Sequence, residues 1–299
     1  MATPARLRTR FAPSPTGYLH LGHVAHMIYV WGVARALGAE VILRMEDHDR
    51  TRCRPEFEAA ILDDLDWLGF VPDVAPTSEF RAGHSDYRQS DCDALYREAL
   101  EQLRARGLVY GCRCSRRDIQ ERVGVQCNEV VYDGYCRNKS VDMDARDAGV
   151  RVCLPDRDYP FEDHLLGPQS QNPANQCGDL LIRDRHACWT YQYSVVLDDA
   201  RHGVNLVVRG ADLLASTGRQ RALQGILGLP LTEQYLHHPL IADAEGTKLS
   251  KKDLATPIQS LRAAGWKSEA VLGHAAYRVG LTETDGAMNV AEAVGLVVV

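Results

Sequence analysis

Two histidines flank a glycine near the start of the chain, in the tetrapeptide H-L-G-H at 20–23. The segment lies where a proline-rich loop, residues 13–17, turns into a run of apolar residues with helical spacing. The first turn of a helix offers free backbone N–H groups and the positive end of the helix dipole, which together favour a phosphate. His20 and His23 can donate hydrogen bonds to phosphoryl oxygens, and Gly22 lets a flat base approach the backbone. The tetrapeptide alone fits two histidines that only cap the helix equally well.

A lysine-rich segment, K-L-S-K-K at 248–252, follows late in the same chain. A flexible loop that carries Lys248 and Lys251 can close over a triphosphate and neutralise the charge that develops as pyrophosphate leaves. Most short lysine runs are instead solvated turns. The combination with H-L-G-H, in this order, favours the nucleotide-binding interpretation.

Four of the nine cysteines crowd into a short stretch of the chain, at Cys112, Cys114, Cys127 and Cys136. Without a secretory signal, such crowding indicates metal binding before disulfides. Four thiolates around Zn²⁺ form a closed tetrahedral site with no position left for water, so the metal is expected to be structural.

The elements that must position these groups begin with a strand over 7–12 and a helix that runs from Gly22 until Gly38 ends it. A strand over 41–45 and an amphipathic helix through Leu68 follow. This βαβ order predicts an α/β fold, a Rossmann-like doubly wound parallel sheet. Ligands of such sheets bind beyond the carboxyl ends of the strands, where segments 10–14 and 46–49 lie.

The rest of the chain continues this pattern around the cysteine cluster. The predicted helices cover 86–107, 213–227, 257–264 and 268–279, and the predicted strands 150–154, 180–182 and 205–209. The predicted domain organisation is a first half of the catalytic domain over 1–107, a zinc-binding insertion over 108–140, the remainder of the catalytic domain over 141–252, and a short helical part over 253–299.

Composition restricts the class of protein further. Of 299 residues, 45% are hydrophobic and 25% charged, which excludes a disordered or low-complexity chain. A net charge of −6 means that any RNA must be bound through local basic patches. The start has no apolar run typical of a signal peptide, and the apolar tail is far shorter than a membrane-spanning helix. We therefore expect a soluble cytoplasmic protein.

The two motifs together resemble those of class I aminoacyl-tRNA synthetases. The segment 10–20 (R-F-A-P-S-P-T-G-Y-L-H) is similar to the glutamyl branch, as are 43–47 (L-R-M-E-D), 195–199 (V-V-L-D-D) and 208–213 (V-R-G-A-D-L). The similar segments span more than four-fifths of the chain.

Within that branch, the chain is similar to a truncated family, the glutamyl-Q tRNA(Asp) synthetases, because it has no room for the anticodon-binding portion of the full-length enzymes. The pattern C-x-C…Y-x-x-x-C resembles this family's zinc pattern, and it replaces Cys127 by Tyr132 as the fourth ligand. Val195 stands where a full-length glutamyl enzyme typically has Asn. One departure is His20 itself, because the family often lacks a histidine at that position.

The resemblance implies roles for individual residues. His20, His23 and Lys251 would be catalytic, and Gly22 and Lys248 would join them in binding ATP, which arrives with Mg²⁺. The carboxylates of the substrate glutamate would be bound by the guanidinium forks of two arginines, and its ammonium group by the carboxylate of one glutamate residue. The implied glutamate-binding residues are Arg10, Phe11, Ala12, Pro13, Ser14, Glu46, Tyr191 and Arg209, of which Arg209 and Tyr191 would bind the side-chain carboxylate. The implied metal ligands are Cys112, Cys114, Tyr132 and Cys136, with one structural Zn²⁺ per chain.

The implied reaction activates L-glutamate with ATP and transfers it to the queuosine base of tRNA(Asp). We expect a monomer with no membrane partner. One alternative is a small glutamyl-tRNA synthetase that charges the acceptor end of tRNA(Glu). A nucleotidyltransferase and a zinc-stapled RNA-binding paralogue without catalysis are further alternatives.

Overall fold

The structure is a computed structural model that describes residues 6–124, 130–240 and 256–299. The described strands are β1 (Arg8–Phe11), β2 (Glu40–Leu43), β3 (Val109–Cys112), β4 (Gly149–Val152), β5 (Tyr159–Asp163), β6 (Gly167–Gln171), β7 (Leu180–Arg183), β8 (Leu206–Gly210) and β9 (Gln234–His238). The described helices are α1 (Leu21–Leu37), α2 (Pro55–Leu68), α3 (Thr77–Ala82), α4 (Asp93–Ala105), α5 (Arg116–Val123), α6 (Pro173–Cys177), α7 (Tyr191–Arg201), α8 (Ser216–Leu227), α9 (Ile258–Ala263), α10 (Ser268–Arg278) and α11 (Val290–Gly295).

Parallel strands form the centre of the molecule, as the βαβ pattern predicts. β1 pairs with β2 in parallel, and β8, β9 and β5 are parallel neighbours in that order, with β6 antiparallel at the edge. The backbone N–H of Asn205, just before β8, donates to the carbonyl of Arg8 at 3.2 Å, so β8 lies beside β1. The continuous apolar runs of β2 and β8 suit strands that are covered on both faces.

Helix α1 is the central helix of the largest core cluster. It ends at Gly38, which adopts a left-handed conformation (φ 67°) that favours glycine. Its middle lies against the C-terminal helix α11, since a Cβ on Gly32 would meet the carbonyl oxygen of Val294 at 2.9 Å and a side-chain carbon of Val297, just after that helix, at 2.5 Å. The end of the chain therefore contributes Ala293 and Val297 to the core, and it contains a helix that was not among the predicted ones.

A second sheet carries the cysteine segment. β3, β4 and β7 are antiparallel neighbours in that order, and they lie against helices α4 and α7 through a second core cluster. Because β3 starts at Val109 and pairs with β4 beyond residue 140, the segment 108–140 is tied into this sheet at its start. The first strand of the expected insertion, β3, is thus part of the same sheet as β4 and β7, which lie outside the insertion.

Most of the predicted elements are confirmed within a few residues. The exception among the helices is the one predicted over 86–107: α4 begins at Asp93, and residues 89–92 form a single 3₁₀ turn. The side chain of Arg88 explains the late start, because it draws the preceding segment towards Glu58 with N···O distances of 2.6 and 3.3 Å. The pattern did not predict β5, β6 and β9, which are short and carry many polar residues.

Candidate active site

The two motif histidines form a reciprocal cap at the start of α1. The backbone N–H of Gly22 donates to Nδ1 of His20, and the backbone N–H of His20 donates to Nδ1 of His23, both at 3.1 Å. A Cβ on Gly22 would meet Cε1 of His20 at 2.9 Å, so the cap itself favours glycine. The capping role that the tetrapeptide suggested is therefore real, and it concerns only one nitrogen of each ring.

This cap also determines what the outer nitrogens can do. Burial lowers the pKa of His20, and burial together with the charge of His20 lowers the pKa of His23 to about 3. Both rings are therefore neutral near pH 7. Because each Nδ1 accepts a hydrogen bond, each Nε2 carries the proton and can donate to an anion. Two N–H donors thus lie at the positive end of α1, as phosphate binding requires.

A cavity of about 250 Å³ opens at the carboxyl ends of β1, β2 and β8. It is lined by Arg10, Ala12, Ser14, His26, Glu46, Tyr191, Arg209 and Leu213. The structure therefore brings together six of the eight residues that the resemblance assigned to glutamate. The other two lie behind the cavity wall: Phe11 packs in the core against Trp31 (ring centroids 5.7 Å apart), and the carbonyl of Pro13 accepts from the backbone N–H of Glu46.

Two of the cavity's charged groups belong to a buried network. Nε of Arg10 donates to Asp199 at 3.1 Å, and Arg44 donates to Asp199 at 2.6 Å and to Glu46 at 2.8 Å. Burial raises the pKa of Asp199, but the charges of Arg10 and Arg44 outweigh it and hold that pKa below its usual range. Glu46 thus has one oxygen held by Arg44 while its side chain lines the cavity. A fixed carboxylate of this kind suits an ammonium group.

Arg209 differs from these arginines because its partners are neutral. Its Nε donates to Nε2 of His237 at 2.9 Å, and its terminal nitrogens donate to Thr217 and Gln220, each at 2.7 Å. It is only 2% exposed, and no carboxylate of the described residues lies within ion-pair distance of it. Burial of a guanidinium without an anion costs free energy, and an anionic ligand in the cavity would lower that cost.

The cysteines converge as a metal site requires. The sulfur atoms of Cys112, Cys114 and Cys136 lie within 4.8 Å of one another, and the Tyr132 hydroxyl lies 3.4 Å from the Cys112 sulfur. Sulfurs that share a tetrahedral Zn²⁺ are about 3.8 Å apart, from a Zn–S distance of about 2.3 Å. Guanidinium groups lie beside two of the sulfurs, 3.4 Å from Cys112 and 3.5 Å from Cys114, which suits thiolates. The donor set therefore fits a metal ion; the rival ligand Cys127 lies outside the described residues.

The lysine motif, with Lys248 and Lys251, also lies outside the described residues.

Sequence reasoning missed His26 and Leu213 on the cavity wall and His237 behind it. His26 offered a signal, since it follows His23 at helical spacing and had to lie on the same side of α1. His237 offered no such sequence signal, because its partner in β8 is known only from the strand register.

Among the helices of the described residues, none has the length and apolar character of a membrane span.

A family model described as the catalytic domain of class I tRNA synthetases (E and Q) matches residues 6–296. The glutamyl-Q tRNA(Asp) synthetase of Symbiobacterium thermophilum is 38% identical over 284 residues, which are 92% of this chain and 87% of that protein. The protein of the same name from Rhodobacter capsulatus is 42% identical over 277 residues, 86% of this chain and 95% of that protein.

A crystal structure of a glutamate tRNA ligase from Elizabethkingia meningosepticum, in complex with its amino acid, is similar in fold with a TM-score of 0.76. It is 25% identical to this chain and covers 97% of it. This chain spans only 64% of that ligase's length.

Proposed function

Because this chain belongs to the class I tRNA synthetases (E and Q), and within them to the glutamyl-Q tRNA(Asp) synthetases, we propose that it activates L-glutamate with ATP and transfers it to the queuosine base of tRNA(Asp). It acts in the cytoplasm as a monomer. Its parts are the two halves of the catalytic domain (1–107 and 141–252), the zinc-binding insertion (108–140) and a short helical end (253–299).

The observation that carries this proposal is the buried charge of Arg209. Its partners among the described residues are neutral, and it shares a cavity with Tyr191, Arg10 and Glu46. The side-chain carboxylate of glutamate supplies the missing anion beside Arg209 and Tyr191. The α-carboxylate is bound near Arg10, and the ammonium near Glu46. A glutamine side chain would leave the guanidinium without an anion, and this disfavours it.

Activation needs positioning and charge stabilisation more than a nucleophilic side chain. The α-carboxylate of glutamate attacks the α-phosphate, and pyrophosphate leaves. His20 and His23 donate to the phosphates from the start of α1, and Gly22 between them joins them in binding ATP. Lys248 and Lys251 bind the triphosphate, and Lys251 stabilises the departing pyrophosphate. Mg²⁺ enters with ATP, bound mainly by its phosphates.

The zinc site belongs to the same proposal. Cys112, Cys114, Tyr132 and Cys136 would hold one Zn²⁺, and Cys127 is the rival to Tyr132. The convergence of three sulfurs and one hydroxyl supports this set. The metal supplies no chemistry to the reaction; it stabilises the fold of the insertion that faces the RNA.

In the second step, the glutamyl group passes from the adenylate to a hydroxyl of the RNA. The cyclopentene diol of queuosine presents vicinal hydroxyls, as a ribose does. The alternative acceptor is the 3′ end of tRNA(Glu), and the intact H-L-G-H motif is the feature that favours it.

Transfer of labelled glutamate to two tRNA preparations, one containing queuosine and one lacking it, tests the proposal. Label on the queuosine-containing tRNA alone is the expected result. Label on both preparations would instead identify a small glutamyl-tRNA synthetase. Glutamate-dependent exchange of pyrophosphate into ATP, measured with tRNA present, tests activation separately, and its absence would favour a binding protein without catalysis.

A further inference from the structure

Behind the cavity, three buried residues form a chain across three adjacent strands. Oδ2 of Asp163, at the end of β5, lies 2.6 Å from Nδ1 of His237 in β9, and Nε2 of His237 lies 2.9 Å from Nε of Arg209 in β8. Arg209 and His237 are register partners in the parallel β8–β9 pair. All three residues are at most 3% exposed. The chain therefore joins a carboxylate to the arginine of the cavity without letting the two touch.

The direction of the two hydrogen bonds follows from the arginine. A guanidinium nitrogen only donates, so Nε2 of His237 must present its lone pair, and the single ring proton lies on Nδ1. That proton is donated to Asp163, whose carboxylate also accepts from the backbone N–H groups of Leu165 and Leu166, each at 3.0 Å. Asp163 is thus held by the turn after β5, and it determines the tautomer of the histidine.

The same contacts determine the orientation of Arg209. Three of its N–H groups are taken by His237, Thr217 and Gln220. A guanidinium has five N–H groups, so one remains on each terminal nitrogen. Each of these two groups can donate to an oxygen of a carboxylate.

The intervening histidine has a chemical consequence. A carboxylate in direct contact with Arg209 would neutralise the guanidinium, and the cavity would lose its need for an anion. A neutral imidazole instead orients the guanidinium and leaves its charge to the ligand.

We propose that Asp163 and His237 are positioning residues that determine the preference of the cavity for a carboxylate over an amide, by fixing the tautomer and through it the orientation of Arg209. The proposal rests on the assignment of Arg209 to the side chain of glutamate. Neither residue touches the substrate; both act through Arg209.

Asp163→Asn is the first test, because an amide N–H that faces Nδ1 moves the ring proton to Nε2, where it opposes the N–H of Arg209. In pyrophosphate exchange with tRNA present, we expect the KM for glutamate to rise at least about tenfold, with the KM for ATP within about twofold of wild type. The ratio of kcat/KM for glutamate over glutamine should fall about tenfold or more. A folded Asp163→Asn protein with an unchanged ratio would overturn the proposal.

A pair of substitutions at His237 separates this role from a structural one. His237→Gln keeps an oxygen that can accept from Arg209 and should retain most of the discrimination, whereas His237→Leu should lose it as Asp163→Asn does. His164→Leu, at an exposed histidine next to Asp163, is the matched control and should behave as wild type. Equal discrimination in the Gln and Leu variants would contradict the proposal.

Nitrogen NMR of the histidine rings in the folded wild-type protein tests the tautomer without any assay. We expect the proton of His237 on Nδ1, and a proton on Nε2 would overturn the inference. Together with the exchange assay, this measurement separates the two proposals. If wild type shows no glutamate-dependent exchange, the proposed function fails; if exchange is normal but the tautomer or the discrimination is not as expected, only this inference fails.

Discussion

Arg44 is fully buried and lies at the centre of the charge network behind the cavity. It donates to Glu46 and Asp199 and lies 4.0 Å from Asp198, which is itself bound by the hydroxyl of Tyr96. A buried network of charges is stable only when every charge has a partner of opposite sign, because a buried charge that loses its partner keeps its desolvation penalty. The network therefore fixes the position of Glu46, which lines the cavity.

We predict that Arg44→Met lowers the free energy of unfolding by about 3–5 kcal/mol, because Asp199 and Glu46 lose a buried cation. Arg117→Met is the matched control, since Arg117 forms an exposed pair with Glu121 one helical turn away. Its effect should stay below about 0.5 kcal/mol. Urea denaturation measures both, and similar losses in the two variants would contradict this account.

At the scale of elements, helix α2 carries an acidic group towards the C-terminal helices. Asp64 is 1% exposed, and neither of its carboxylate oxygens has a hydrogen-bond partner among the described residues. Burial raises the pKa of Asp64 to about 7, although the charge of Arg262 opposes the rise. Between its ordinary pKa of 3.8 and about 7, the folded state binds more protons than the unfolded state. Stability contributed by the protonated form is therefore lost as pH rises through this window.

Asp64→Asn should therefore raise the free energy of unfolding. The difference from wild type should grow by at most about 1.4 kcal/mol for each pH unit from pH 5 to pH 7. Urea denaturation of wild type and variant at pH 5 and pH 8 measures the difference. Glu98→Gln, at an exposed position on α4, is the control and should change stability by less than about 0.5 kcal/mol at either pH. An advantage that does not depend on pH would show that the Asp64 carboxylate is not the cause.

The cysteine segment depends on its metal if the proposed zinc site is correct. Its own apolar cluster is small, with Ile119 and Tyr132 beside two of the cysteines. Removal of zinc by a chelator should raise amide hydrogen exchange in residues 112–124 and 130–140 while α1 stays protected. Cys136→Ser should lower the zinc content below one per chain, whereas Cys188→Ser, outside the cluster, should not. Full zinc content in Cys136→Ser would remove Cys136 from the site.

At the scale of the whole molecule, a chain with a net charge of −6 must bind RNA through a local patch. The cysteine segment carries several arginines, which differ in their partners and their exposure. Arg122 donates to Asp133, and Arg137 donates to Asp179. Arg116 is exposed without an ion pair among the described residues, and Arg117 forms an exposed pair with Glu121 while its side chain is 85% exposed. Because an exposed ion pair contributes little, these two arginines are available to phosphates.

We predict that changing both Arg116 and Arg117 to Ala raises the KM for tRNA several-fold and leaves glutamate-dependent pyrophosphate exchange at saturating tRNA unchanged. The dependence of tRNA affinity on salt should also become shallower, by about 0.7 in the logarithmic slope for each phosphate that the variant no longer neutralises. Arg6→Ala is the control, because Arg6 precedes β1, whereas the cavity lies at the other end of that strand. A double variant with wild-type tRNA kinetics would place the RNA on another surface.

Local patterns were sufficient to predict β1, β2 and β8, the helix that begins with H-L-G-H, and the convergence of Arg10 and Glu46 at the strand ends, whereas the family came from the resemblance of the motifs. These features depend on periodicity and on residues close in sequence, which a single chain displays directly. The resemblance also implied Arg209 as a carboxylate-binding residue.

Only the tertiary structure decided which distant groups meet. Arg44 and Asp199 are separated by 155 residues and Asp163 and His237 by 74, and no local pattern contains the strand order that joins them. The side chain of Phe11 likewise turned towards the core, because alternate residues of β1 face opposite sides of the sheet. Charge, tautomer and orientation at the cavity depend on these pairings, because each is determined by what lies within about 3 Å of a buried group.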